Sequence, residues 1–236
     1  MKILVTLFTL IFTLNAIQAQ RFSAGLFLGG ANYQGDLVAK EVALKETNLA
    51  FGVFAQYSVT NKLSLRGNVF NGSIGGTDLG TRNAARGLSF STNIFEGSMV
   101  ANWDILGKAR FDSKGTFTRA YTPYIFAGVG MVLFKPTVTG LSQNSPDSKA
   151  EYGSFQLTLP FGMGIKYDLT KQITLSVEGS THLPFTDYLD GVSEEGNPGN
   201  HDWYSWGGIT AAYWFGLPKS SESSTNSDGK KGAKFY

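Results

Sequence analysis

Between Phe155 and Glu178, apolar and polar side chains alternate almost one by one. Phe155, Leu157, Leu159, Phe161, Met163, Ile165 and Tyr167 take one set of positions. Gln156, Thr158, Pro160, Gly162, Gly164, Lys166 and Asp168 take the other. After Leu169-Thr170-Lys171-Gln172 the pattern resumes, with Ile173, Leu175 and Val177 set against Thr174, Ser176 and Glu178. A period of two sorts side chains onto opposite faces of a strand. The apolar face is unbroken over roughly ten residues, the length a tilted strand needs to cross a bilayer. Lys166 and Glu178 on the other face suit a polar lumen and not a sandwich core. The pattern predicts an outer-membrane β-barrel.

The same reading marks eight strands, near 22–33, 48–59, 63–73, 88–103, 121–135, 153–168, 172–183 and 204–217. In the second, Leu49, Phe51, Val53, Ala55, Tyr57 and Val59 oppose Ala50, Gly52, Phe54, Gln56 and Ser58. In the fifth, Ile125, Ala127, Val129, Met131 and Leu133 oppose Tyr124, Phe126, Gly128 and Gly130. The connections alternate in length. Segments 58–62 and 168–172 are tight turns, whereas 34–47, 74–87, 136–152 and 184–203 are longer. Short periplasmic turns and long external loops are the habit of this class. The connection 104–120 departs from it, being long on the periplasmic side. Eight strands close a barrel that side chains can fill, so no open pore is expected.

Composition and the chain ends extend this picture. Met1-Lys2, the apolar run Ile3–Leu14 and the exit Asn15-Ala16-Ile17-Gln18-Ala19 predict a secretory signal peptide over 1–19. The barrel is expected over 20–217, and the Ser-, Lys- and Gly-rich remainder 218–236 as a disordered periplasmic tail. The chain has no cysteine, which excludes disulfides and a lipid anchor. Glycine is abundant at 29 residues and aromatics reach 14%, with a net charge of only +2, too small to argue for nucleic acid. Paired glycines at 128, 130, 162 and 164 lie at period two without a following helix. They read as lumen positions giving room to bulky neighbours, not as a phosphate loop. Tyr57, Trp103, Tyr121, Phe134, Tyr167, Trp203, Trp206 and Trp214 read as interfacial girdles.

At this point the strings Gly29-Gly30-Ala31-Asn32-Tyr33-Gln34-Gly35-Asp36-Leu37, Tyr121-Thr122-Pro123-Tyr124-Ile125-Phe126 and Leu159-Pro160-Phe161-Gly162-Met163-Gly164 gain a second meaning. With the last-loop motif Phe185, Thr186, Asp187, Tyr188, Leu189, Asp190, they occur in an order that resembles the PorG-like outer-membrane barrels associated with the type IX secretion and gliding machinery. The resemblance implies a barrel docking periplasmic ring or lipoprotein components of that apparatus. A free-standing structural or surface-interaction barrel of the OmpA/OmpX type is the alternative.

Candidate chemistry is sparse. Arg66, Glu96, Lys166 and Glu178 are expected inside the lumen as a polar network, with Lys166 paired to Glu178. Glu178, Ser180 and His182 share a face of strand seven and supply the residue types of an acyl-transfer site. Positions two apart lie about 7 Å apart along a strand, which makes a direct relay long. His182 is accordingly expected as a polar residue near the rim, and the protein as no enzyme. Asp187, Asp190, Glu194, Glu195 and Asp202 enrich the last loop in carboxylates; turn capping by Asp187 and Asp190 is the first reading and bound calcium the alternative. Lys108, Arg110, Phe111, Phe117 and Arg119 mix charge with aromatic anchors and are the expected partner contacts. No cofactor and no small-molecule substrate is expected; the partners foreseen are outer-membrane lipid and the periplasmic components.

Overall fold

The structure, a computed structural model, describes residues 21–34, 47–78, 87–111, 116–140, 145–147, 154–186, 188–191 and 202–216. The expected signal peptide 1–19, the tail 218–236 and Asp187, Glu194 and Glu195 of the last loop lie outside the described residues. The strands are β1 (Phe22–Gln34), β2 (Asn48–Ser58), β3 (Leu63–Thr77), β4 (Ser89–Asp104), β5 (Tyr121–Thr139), β6 (Phe155–Asp168), β7 (Ile173–Pro184) and β8 (Trp203–Trp214). Each pairs antiparallel with its chain neighbours, and β1 closes on β8 to complete an eight-stranded barrel. Closure leaves no edge strand, so every backbone polar group in the wall has a partner within reach.

The predicted strands are all present, and two run further than the alternation suggests. β3 continues to Thr77 and β5 to Thr139. Beyond Phe95 and Leu133 the outward residues turn polar: Ser73, Asn93 and Lys135 share one row across β3, β4 and β5, and Gly75, Ser91 and Thr137 the next. The apolar signal stops there while the hydrogen-bonded ladder goes on. One side of the barrel therefore stands above the apolar band.

That band faces outward all the way round. Leu26, Phe51, Val129, Met163 and Val177 are more than half exposed. Leaving a large apolar side chain in water costs roughly 1.5–3 kcal/mol, and a belt of them has no place on a soluble domain. The surface is lipid-facing, and a barrel built this way is an outer-membrane protein. We call the end bearing turns 59–62 and 169–172 the turn end, and the opposite one the loop end.

The interior is packed with rings. Phe27, Phe70, Ile94, Val132, Tyr204 and Trp206 belong to one buried cluster, and Val100, Tyr124 and Phe126 to a second nearer the turn end. The glycines of β6 make this possible. A Cβ on Gly162 would meet the Phe126 ring at 2.6 Å, and one on Gly164 would meet Tyr124 at 2.7 Å. The aromatic assignment needs correcting in part. Trp103 and Tyr121 do face outward, but Phe134, Trp206 and Trp214 are buried in the lumen. Their even positions share parity with inward Val132, Tyr204 and Thr210, and parity overrides residue type.

Candidate functional site

The polar groups of the lumen are stacked in layers. Nearest the turn end, Asp168 of β6 accepts hydrogen bonds from Arg110 Nε at 3.1 Å and Thr174 Oγ1 at 2.6 Å. Thr174 in turn accepts one from Trp214 Nε1 at 2.9 Å, and the Arg110 guanidinium lies 4.5 Å from the Trp214 ring centre. Arg110 also donates to the carbonyls of Lys171 at 2.8 Å and Thr170 at 3.4 Å. The described parts of the connection, 105–111 and 116–120, thus fold over the turn-end mouth, with Phe111 and Phe117 bridged to each other. Burial draws the Arg110 guanidinium below its ordinary pKa, and the Asp168 carboxylate opposes that shift. Of the expected partner contacts, Arg110 is therefore spent on the barrel itself, and the Phe111 and Phe117 rings pack on one another at a tilt of 58°. Lys108 and Arg119 remain exposed.

One layer in, Lys166 is paired with Asp104, not with Glu178. The strand register explains the correction: Glu178 stands opposite Gly164, while Lys166 stands opposite Ser176, one inward step nearer the turn end. Glu178 instead receives Arg66 from across the lumen, Nη1 to Oε2 at 2.7 Å, and the Tyr124 hydroxyl at 2.5 Å. Arg66 is sandwiched between Phe54 and Phe126, its guanidinium carbon 5.4 and 4.9 Å from the ring centres. Both ions are buried. Their geometry offsets much of the desolvation cost, since the Glu178 carboxylate meets both the guanidinium and the Tyr124 hydroxyl. Between these layers lies a void of about 30 Å³, too small to pass a solute.

The third layer holds Glu96. Its Oε2 accepts from the Tyr204 hydroxyl at 2.6 Å and Trp206 Nε1 at 3.4 Å, and lies 2.7 Å from His182 Nδ1. His182 stands close to the loop end of β7, but its side chain is buried in the lumen and stacked on Tyr204 at 5.0 Å, not exposed at an interface. Ser180 Oγ is 2.9 Å from His182 Nε2. The expectation of a long relay also fails: the imidazole leans along its strand and spans the gap that separates the two Cα atoms. The carboxylate comes from β4, not from Glu178. Ser180, His182 and Glu96 thus have the order of an acyl-transfer relay. The approach of Nδ1 to Glu96 is close but poorly directed for a hydrogen bond. Glu96 is bound by an indole and a phenol besides, and the surroundings are the ring-filled core. What the geometry does is lock β4, β7 and β8 together.

At the loop end a chain segment folds back into the barrel. Leu189 and Asp190 are fully buried, and Thr92 Oγ1 donates to the Leu189 carbonyl at 2.8 Å. Asp202 accepts the amides of Leu189 and Asp190 at 3.1 and 3.4 Å. Asp202 thus caps these two amides, and the Asp190 carboxylate meets the Tyr33 hydroxyl at 2.6 Å. Thr186 accepts the Tyr188 amide at 3.2 Å, while Phe185 points outward. Among the described residues no three carboxylates or imidazoles are grouped to hold a metal ion.

Sequence parity found Arg66, Glu96 and Glu178. It missed Asp104, Asp168 and Tyr204 as their company, although Asp104 shares its even parity with Glu96 along β4. Arg110 carried no periodic signal at all.

A family model described as a domain of unknown function, DUF6089, matches residues 1–220. No curated protein matches the sequence. Among solved structures, Neisserial surface protein A is similar at 12% identity and a TM-score of 0.49, over 82% of this chain and 97% of that one. A major outer membrane protein from Thermus thermophilus is similar at 16% identity and 0.44, over 82% and 98%. Ail, the attachment invasion locus protein of Yersinia pestis, in complex with the heparin analogue sucrose octasulfate, is similar at 10% identity and 0.41, over 82% and 97%.

Proposed function

The chain belongs to the DUF6089 family, and we propose that it is a closed, non-enzymatic outer-membrane barrel that works through its surfaces, in the manner of small structural or surface-interaction barrels of the OmpA/OmpX type. The observation that carries this reading is the sealed lumen. Arg110 and Asp168 cross one mouth, Arg66 and Glu178 cross the middle, and Leu189 and Asp190 enter the other mouth. A solute would have to break buried ion pairs at two levels, each break leaving an uncompensated charge. In this reading the turn end faces the periplasm and the loop end the outside. Purified protein in planar bilayers should show no stepwise conductance at neutral pH; reproducible single-channel steps would replace this reading with that of a pore.

A finer version of the same proposal is docking of periplasmic ring or lipoprotein components of a type IX secretion apparatus. It is favoured by the turn-end connection, where Ile105 and Leu106 are about half exposed beside exposed Lys108 and Arg119. These groups combine apolar area with charge, as partner surfaces do. Charge reversal at Lys108 and Arg119 spares the Arg110 plug and should abolish co-purification with such components. Co-purification and secretion unchanged by the reversal would leave the free-standing barrel as the function.

A further inference from the structure

The outer wall carries a feature near the turn end that the lumen does not explain. In register, Leu26, Ala211, Leu175, Tyr167 and Tyr121 form one outward row across β1, β8, β7, β6 and β5. Leu28, Ile209, Val177 and Ile165 form the next. Ala211 is the small member among bulky neighbours, and an apolar groove opens along these two rows. The row begins at the first residue of β5, Tyr121, yet meets β1 at Leu26, well inside that strand. The groove therefore leaves the membrane border at Tyr121 and Tyr167, whose rings stack at 4.5 Å, and climbs into the apolar band. Tyrosines at such a border sit at headgroup depth.

Charge gathers at the same place. The Asp168 amide donates to the Ala120 carbonyl at 3.2 Å, and Arg110 to the Lys171 carbonyl at 2.8 Å. These bonds bring the segments carrying Arg119 and Lys171 beside one another, next to the tyrosine pair. Among the described residues at this end, Arg21, Lys62, Lys108, Arg119 and Lys171 are exposed. Asp104 and Asp168 are drawn inward onto Lys166 and Arg110. Among the described residues the outside of the collar is thus cationic. We propose that the groove holds an acyl chain of an anionic phospholipid from the leaflet bordering the turn end, with the lipid phosphate against Arg119 and Lys171. Hydrocarbon surrounds the groove, which fixes the chemistry of its occupant; the collar selects a net negative headgroup over a zwitterionic one.

The full chain in detergent micelles, mixed with phosphatidylglycerol or phosphatidylethanolamine of identical chains, is read by native mass spectrometry. It should retain one phosphatidylglycerol in clear preference. Replacing both Arg119→Ala and Lys171→Ala should weaken that retention by about 25-fold, roughly fivefold for each basic residue at an anionic surface. Ala211→Phe fills the groove without touching the charge and should displace both lipids alike. All three substitutions lie on the outer surface, and heat-modifiable gel mobility checks that each variant is folded. Equal retention of the two lipids by the unaltered protein, or retention that neither variant moves, overturns the site.

Discussion

Toward the turn end the lumen is tied together by ion pairs, and toward the loop end it is packed with rings. Arg66, Glu178, Lys166, Asp104, Arg110 and Asp168 occupy the first region, around a small void. Phe70, Phe90, Ile94, Phe134, Tyr204 and Trp206 occupy the second, where Glu96 and His182 are embedded among them. The two regions hold the same wall by different physics. Ring packing contributes through area and shape, so each side chain acts nearly alone. Ion pairing contributes through mutual compensation, so each charge matters chiefly because its partner is there.

The sharpest test of this contrast is a pair of mutant cycles read by urea unfolding in lipid vesicles. Glu178→Leu leaves Arg66 buried without its carboxylate and should cost about 3–5 kcal/mol. Adding Arg66→Met to it should restore most of that loss, because an apolar pair of similar volume replaces the ions. Trp206→Ala should cost a similar amount, about 3–5 kcal/mol. Phe70→Ala, added to it, should deepen the loss, since Phe70 stacks on Trp206 at 5.8 Å and Glu96, though it loses the indole donor, keeps the Tyr204 hydroxyl. A turn-end double mutant no better than its single would show that Arg66 and Glu178 are not coupled as their 2.7 Å contact requires.

A second comparison sets the apolar band against the polar extension of β3–β5. Val177, at mid-wall, is 64% exposed to the outside. Val177→Lys should cost roughly 2–4 kcal/mol by placing an ammonium in hydrocarbon. Ser91→Lys on the outward face of β4 lies in a row with Gly75 and Thr137, above the last apolar row. It should cost little, about 0–1 kcal/mol, as near a membrane interface. Equal costs at the two positions would move the membrane border up the barrel and put the extension inside the lipid.

The ease with which the wall can be read from sequence, and the difficulty of reading the lumen, have one cause. Alternation is a local signal, and lipid enforces it at every outward position, so Leu157, Met163 and Val177 announce their faces directly. Inward positions obey parity too, which is why Arg66, Glu96 and Glu178 could be placed. Their partners depend on register and on reach across the lumen, and no local pattern encodes either. Arg66 and Glu178 come from strands that are not neighbours, and Lys166 meets Asp104 from β4, again not an adjacent strand. Residue type misled where parity would have served: Trp206 and Trp214 look like interfacial anchors and are lumen fillers. The extended ends of β3 and β5 were hidden because the apolar code stops where lipid stops.

An effect smaller than the loss of Glu178 is expected at the turn-end plug, where the ion-filled region meets water. Arg110 joins the connection 105–120 to β6 through Asp168 and to the β6–β7 turn through the Lys171 carbonyl, while lying over Trp214 of β8. Its side chain is 16% exposed, so solvent screens the pair more than it screens Arg66 and Glu178. Arg110→Ala should therefore cost only about 1–2 kcal/mol. Asp168 keeps the Thr174 hydroxyl as a donor, and water can reach the vacated side. The wild-type protein should lose part of this contribution between low and high salt, and the variant should not. Limited proteolysis should cut the variant within 105–120 faster, because the segment loses its anchor while the barrel stays closed. A cost as large as that of Glu178→Leu would mean that the plug belongs to the buried network, and that the lumen is ion-locked up to its very mouth.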